Sequence, residues 1–350
     1  MKNSLLFAFL FSIISTASFA QFPGEVTTPR ESQGAKVSQR IGLTDIEVSY
    51  HRPGVKGRKI WGELVPYNDG KPFPWRGGAN ENTTIRFSTD VTIEGKPLAA
   101  GLYGLHIIPA ADQWIFIFSK NNWSWGSFTY DPKEDALRVT VKPSAVEFTE
   151  YLRYEFDDPN PDNVKLNLYW EKIKAGVAIT VDVKKTTVES IRKQLQNSAR
   201  FTWTGYNSAA MYCLENNTNL DEALQWANSS VQSEPRYENL DTKAQLLAKL
   251  GRKQEADSVS KAAFDKATPQ DLYVQGRSLL GEKKMKEALE LFEANMKRNP
   301  NHWMSQIGMA RYYQANGDKD KAITLLKKAI SLAPDNVKPN LEALMKQWQG

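Results

Sequence analysis

Between Tyr50 and Thr84 the chain concentrates the side chains best suited to bind or transform a small molecule: His51, Arg52, Arg58, Trp61, Trp75, Arg76, Asn80 and Glu81. Gly, Pro, Asn and Asp punctuate the stretch too densely for a helix or a plain strand, so it reads as a long loop. Pro53 forces Arg52 into an extended geometry, and Gly54 and Gly57 allow turns that would bring Arg58 back toward Arg52. Guanidiniums converging beside Trp61 and Trp75 would hold a carboxylate, a phosphate or a sugar acid by bidentate hydrogen bonds and ring stacking. The alternative is architectural: Arg52 and Arg58 pair with Glu63, Glu81 or Asp69 and staple the loop, with Trp61 and Trp75 at the rim of the core. The residues alone leave both open.

Other chemistry is sparse. There is no phosphate-binding Gly-rich loop with its Lys, no GxSxG, no HExxH and no CxxC. The three histidines, His51, His106 and His302, make a multi-histidine zinc site hard to assemble, and no cofactor is expected. The acidic run from Asp157 to Asp162 lacks the central Gly and terminal Glu of a calcium loop and reads as an exposed hairpin. The single cysteine, Cys213, excludes an intrachain disulfide and reads as a small buried residue. His106 reads as an outward-pointing or satisfied sheet residue. Trp123-Ser124-Trp125-Gly126 reads as an aromatic hairpin loop or a flat platform for carbohydrate. With 45 basic and 40 acidic residues spread along the chain, nothing suggests a nucleic-acid binder, whose basic residues would cluster.

These residues must be positioned by two different kinds of element. From about Ala35 to Val183 apolar and polar residues alternate, as in Ile46, Val48 and Tyr50 against Glu47, Ser49 and His51, which predicts about nine strands, the last two from Val164 to Trp170 and from Val177 to Val183. With no helical pattern between them, the strands predict an antiparallel sandwich or barrel. The motifs Tyr50 to Arg58, Ile60-Trp61-Gly62, Trp75-Arg76, Gly78-Ala79-Asn80 with Thr83-Thr84, and Gly101-Leu102-Tyr103 resemble the domain of unknown function 2911. The resemblance covers about residues 21–185 and implies an exported β-rich domain, of a kind found mainly in Bacteroidetes and their relatives. It carries over no catalytic residue.

After Val183 the spacing turns helical. Pro300 and Pro334 stand 34 residues apart, as do Ala288 and Ala322, Gly276 and Ala310, and Arg277 and Arg311. A 34-residue period with small residues where helices cross and a closing proline resembles the tetratricopeptide pattern. Earlier units match less well, because Met211 occupies a small-residue position and Gly281 falls two residues before its expected turn. In that family the position after the small residue commonly faces a concave groove. This would make Arg277 and Arg311 a ladder for an acidic peptide or C-terminal carboxylate, the alternative being two solvated surface charges.

Residues 1–20 read as a signal peptide, with Lys2, an apolar run from Leu5 to Ile14, and Ser18-Phe19-Ala20 before the cut. No later stretch is apolar enough for a membrane helix. The sequence therefore predicts a multidomain β plus α protein, exported to the periplasm or beyond. Its parts are a leader (1–20), a β-sandwich domain (21–185) and a tetratricopeptide-like module (186–350). The leading functional expectation is a non-enzymatic binding or scaffold protein, with a small anionic or glycan ligand on the β-domain and a protein or peptide partner on the repeats. One alternative is a hydrolase or lyase of cell-envelope carbohydrate, using Glu81 or Glu63 with His51 as acid and base. The other is a purely structural envelope protein.

Overall fold

Alternating burial builds the first half. In the computed structural model, which describes residues 28–67 and 73–349, Ile46, Val48 and Tyr50 are buried while Asp45, Glu47 and Ser49 face outward. The expected leader (1–20) and Asp69 lie outside the described residues. Ten strands follow: β1 (Gln33–Ile41), β2 (Thr44–Arg52), β3 (Thr84–Phe87), β4 (Val91–Ile93), β5 (Lys96–Leu98), β6 (Gly101–Pro109), β7 (Trp114–Ser119), β8 (Asp135–Val141), β9 (Ser144–Asp157) and β10 (Asn163–Thr180). They form two antiparallel sheets, a six-stranded one in the order β1-β2-β3-β6-β7-β8 and a four-stranded one in the order β5-β4-β10-β9.

Inner faces of the two sheets meet through aromatic contacts. Tyr50 of β2 sits edge-on to Tyr154 of β9 with ring centroids 4.9 Å apart, and the Tyr154 backbone N–H donates to the Tyr50 hydroxyl over 3.2 Å. One expectation changes here. The segments expected as two strands, 164–170 and 177–183, run as the single long β10, which ends at Thr180. Its pairing with β9 shifts register around Glu171, whose φ is 56°. A residue in the left-handed region locally breaks the period-two pattern, so a bulged strand reads as two.

The chain divides into two units between Thr180 and Val181. The second contains ten helices among the described residues: α1 (Val183–Gln194), α2 (Trp203–Asn216), α3 (Leu220–Ser233), α4 (Tyr237–Lys249), α5 (Lys253–Lys266), α6 (Pro269–Gly281), α7 (Met285–Arg298), α8 (Trp303–Ala315), α9 (Lys319–Leu332) and α10 (Lys338–Gln349). None is long and apolar enough to cross a membrane. From α2 to α9 they form successive pairs in the tetratricopeptide manner, and α10 covers the end through buried Leu341. Each crossing is lined by small residues: Ala223, Ala244, Ala256, Ala288, Ala310 and Ala322 are all buried. In the first pair the small position is Ala210, 34 residues before Ala244 and fully buried, so the close crossing expected to fail at Met211 is made one residue earlier.

The turns explain the weak match of the third pair. Gly251 and Gly317 close theirs at φ 78° and 85°, and Lys283 occupies the corresponding place, 34 residues before Gly317, at φ 62°. Phe292 of α7 is fully buried against Gly276 of α6 and Gly308 of α8, where a Cβ on either glycine would collide with its ring. Gly276→Ala should therefore destabilise the helical unit, with overpacking worth about 1–3 kcal/mol against a helix-propensity gain of about 1 kcal/mol. Lys283→Gly should stabilise it by up to about 1 kcal/mol, relieving a left-handed side chain at some cost in unfolded-state entropy. Urea midpoints followed by helical circular dichroism check both, and equal effects of the two changes would contradict this packing.

Candidate functional site

The loop after β2 is tied to both sheets by its own backbone. The Val55 N–H donates to Glu150 O over 2.8 Å and the Leu152 N–H to Pro53 O over 3.0 Å, fixing Gly54 beside Tyr151 of β9. Further on, Trp75 and Ile107 of β6 exchange two backbone hydrogen bonds of 2.7 Å. Gly77 then passes under Tyr154, whose hydroxyl donates to Gly77 O over 2.8 Å. Its φ of 61° and the closeness of that hydroxyl leave no room for a side chain.

This path distributes the sequence-selected residues into three groups. Arg52 and Arg58 face backbone carbonyls: Arg52 Nε donates to Leu152 O over 3.0 Å, and Arg58 donates to Val55 O and Gly54 O over 3.1 and 2.6 Å. Glu63 pairs with Lys59 instead. Trp61 and Trp75 join Trp114 of β7 and Trp170 of β10 in one cluster, with ring centroids 4.7–5.9 Å apart, a separation at which aromatic pairs attract beyond their buried area. Among the described residues, Trp75 alone of the four indoles has a hydrogen-bond acceptor for its N–H, Gly78 O at 3.1 Å.

The third group gathers at the surface. His51 Nε2 lies 3.3 Å from Glu81, which also pairs with Arg30. Asn80, at φ 58°, donates to Ser32 O over 3.1 Å, and Arg76 donates to Asn80 O. Burial alone would raise the Glu81 carboxyl, but its own backbone N–H, Arg30 and His51 together hold it below the usual range. Burial lowers the Arg76 guanidinium, against the pull of Glu81. The loop from Asn121 to Tyr130 completes the group. Arg30 stands over the Trp125 ring and Arg76 over Phe128, each 5.4 Å from the centroid, and Trp123, Trp125 and Phe128 are 79%, 54% and 71% exposed. Beside them a cavity of about 200 Å³ is lined by Tyr67, Phe73, Trp75, Arg76, Ser127 and Phe128.

Sequence reasoning missed Arg30, Ser127 and Phe128 as members of this group. It also left His106 without a partner. His106 is buried, with Nδ1 2.8 Å from Ser127 Oγ and its ring against Tyr130. Tyr130 donates to Asp135, and burial together with that carboxylate pushes its phenol up to about 12.

In the second unit α2, α4 and α6 line one groove of about 800 Å³. Trp203, Met211, Tyr237 and Val274 give it apolar surface, and Glu215, Glu238, Asp241 and Asp271 give it negative charge. Burial raises the Asp241 carboxyl, against a hydrogen bond of 2.7 Å from Gln245. Arg277 and Arg311 are outside this lining and meet on one residue: Arg277 stands over the Tyr273 ring at 5.6 Å, and Arg311 Nε donates to the Tyr273 hydroxyl over 2.9 Å. Among the described residues no cluster of His, Cys, Asp or Glu could hold a metal ion, and Cys213 is buried, with its thiol pushed up to about 11 by desolvation.

His106 makes the β-unit sensitive to acid. Burial lowers its pKa to about 4, with Asp135 pulling it up and Arg76 pushing it down. Between pH 6.5 and about 4 the unfolded chain takes up a proton that the folded one refuses, so the stability present above pH 6.5 is lost as pH falls. The loss should reach on the order of 3 kcal/mol. Urea denaturation followed by near-ultraviolet circular dichroism at pH 7.5 and 4.5 should show it in the wild type and much less in His106→Gln. An equal loss in both would contradict the assignment.

Residues 32–179 match the family described as protein of unknown function (DUF2911), and residues 279–347 match the tetratricopeptide repeat. No curated protein matches the chain. Among solved structures, similarity extends to YrrB, described as a TPR protein with an unusual peptide-binding site (20% identity, 47% of this chain and 84% of that one, TM-score 0.27). It extends also to MamA from Desulfovibrio magneticus (22%, 42% and 90%, TM-score 0.25) and to a tetratricopeptide repeat protein from Parabacteroides merdae (16%, 48% and 68%, TM-score 0.28). A segment matching the DUF2911 family is therefore followed in this chain by one matching the tetratricopeptide repeat.

Proposed function

We propose that this protein is an exported, non-enzymatic adaptor whose helical repeats hold a segment of a partner protein and whose β-unit recognises a small anionic or glycan ligand. Tetratricopeptide repeats support a protein-binding or scaffold role. The observation that carries the finer reading is the groove along α2, α4 and α6, which holds about 800 Å³ and leaves Met211 and Val274 40% and 55% exposed. Export rests on the leader pattern of residues 1–20.

For the β-unit the supporting observation is the exposed aromatic group beside Arg76, Arg30, Asn80, Glu81 and His51. Flat rings cover sugar faces, and neighbouring guanidiniums suit a sugar acid or phosphate. The enzymatic alternative is less favoured. Glu81 is held below the usual carboxyl range by its own backbone N–H, Arg30 and His51, which removes it as general acid. It is left a weak base already paired with Arg30, and Glu63 pairs with Lys59.

A photo-crosslinking side chain placed at Val274, in the groove, should yield a discrete protein adduct from envelope extract. The same group at exposed Lys261 of α5 should yield none. Adducts at both positions, or at neither, would contradict a groove-held partner. On the β-unit, a panel of acidic sugars and phosphates should raise the melting temperature of the wild type and not of Trp125→Ala. Equal shifts in the two would remove the aromatic group from recognition.

A further inference from the structure

The groove on α2, α4 and α6 is lined by carboxylates that no cation among the described residues pairs with, although Gln245 donates to Asp241 and the Thr268 N–H and hydroxyl donate to Asp271. Among the described residues none of Glu215, Glu238, Asp241 and Asp271 has a Lys, Arg or His nitrogen within ion-pair distance, while on nearby outer surfaces Glu222 pairs with Arg192 and Glu255 with Arg252. Lys249 also lines the groove, but its Nζ donates to Leu214 O over 3.1 Å, near the carboxyl end of α2. Asn207 of α2 is only 5% exposed and faces the same groove, and among the described residues its Oδ1 has no donor. A buried acceptor without a donor is expensive, and a carboxylate removed from water without a cation is more so. Both penalties vanish when an ammonium or guanidinium enters.

We propose that this groove takes a cationic segment of the partner, an extended stretch of protein bearing lysine or arginine side chains. The inference rests on the protein-binding reading above and narrows it by sign: an acidic segment would be repelled here. It also runs against the chain as a whole, whose net charge is +5. Long-range attraction from the rest of the protein therefore does not explain capture of a basic segment, and the local carboxylates must do so. Trp203 and Tyr237 line the groove as well and offer aromatic surface of the kind that cations favour. Their presence beside Asp241 and Glu238 suits a side chain with an apolar stem and a charged head.

The test uses the full chain and two short fluorescent peptides, one alternating Lys with Ala and the other Glu with Ala, read by anisotropy. The lysine peptide should bind and the glutamate peptide should not. Asp241→Asn and Glu238→Gln, each close in shape to the original, should each weaken binding about tenfold or more. Raising salt from about 50 to about 300 mM should weaken it in the wild type and less in the double variant. Val274→Arg, at an exposed position, should also weaken it by placing a rival guanidinium in the groove. Failure of the lysine peptide to bind, preference for the glutamate peptide, or unchanged affinity in the double variant and in Val274→Arg would overturn the proposal. Photo-crosslinking at Val274 separates this failure from failure of the broader reading. An adduct undiminished in the double variant leaves a groove-held partner and removes its positive charge, whereas no adduct in the wild type removes both.

Discussion

A helix pair with one apolar face is stable only when the next pair covers that face, and the second half of this protein follows from that constraint. Close approach of neighbouring pairs requires small residues at the crossings, which Ala210, Ala244, Gly276 and Ala310 supply. Where two glycines face each other across α6 and α8, the ring of Phe292 fills the gap. Stacking pairs in one direction sets their first helices side by side. That arrangement creates the groove and brings Asn207 of α2, Glu238 and Asp241 of α4 and Asp271 of α6 into it. The same packing withdraws Asp241 from water.

In the β-unit the corresponding role belongs to the backbone of the long loop. Its pairing with β9 at Gly54 and with β6 at Trp75 joins the two sheets. The tryptophan cluster then fills the space between Trp114 and Trp170. Because Trp75 is fixed in this way, its neighbour Arg76 is delivered to the surface beside Phe128, and Asn80 and Glu81 follow beside Arg30 and His51. A loop that serves as a seam between sheets can present charged groups in fixed positions, since anchors on both sides set its path.

Much of the architecture was legible because periodicity is a local property. Alternation marked β2, and the 34-residue offsets marked the last two helix pairs. What defeated local reading was backbone geometry that the residue type does not announce. Glu171 and Lys283 adopt left-handed conformations usually left to glycine, and the first hid the continuity of β10 while the second hid a turn. Around the loop the chemical types were visible but their partners were not. Arg58 reaches carbonyls only a few residues away, and Arg30 reaches Glu81 from far back in the chain. His106 meets Ser127 because β6 lies beside the loop that follows β7. The acidic groove left no sequence mark, since its carboxylates are separated along the chain and become neighbours only when three helices align. Arg277 and Arg311 did carry a mark, their 34-residue offset, and they converge on Tyr273 outside that groove.

Packing withdraws the Asp241 carboxyl of the groove from water, and its titration reads directly whether it awaits a positive charge. Carbon-13 resonances of aspartate carboxyls, assigned by comparison with Asp241→Asn, report its pKa in the full chain. Tyr237, Glu238 and Asp271 are ionisable groups that line the groove beside it. The free protein should show Asp241 raised above the ordinary aspartate value, because burial disfavours its charge. Adding the lysine peptide should bring that pKa down, because a cation beside the carboxylate favours its ionised form. An Asp241 pKa that is ordinary in the free protein, or that stays fixed while the peptide binds, would contradict the account.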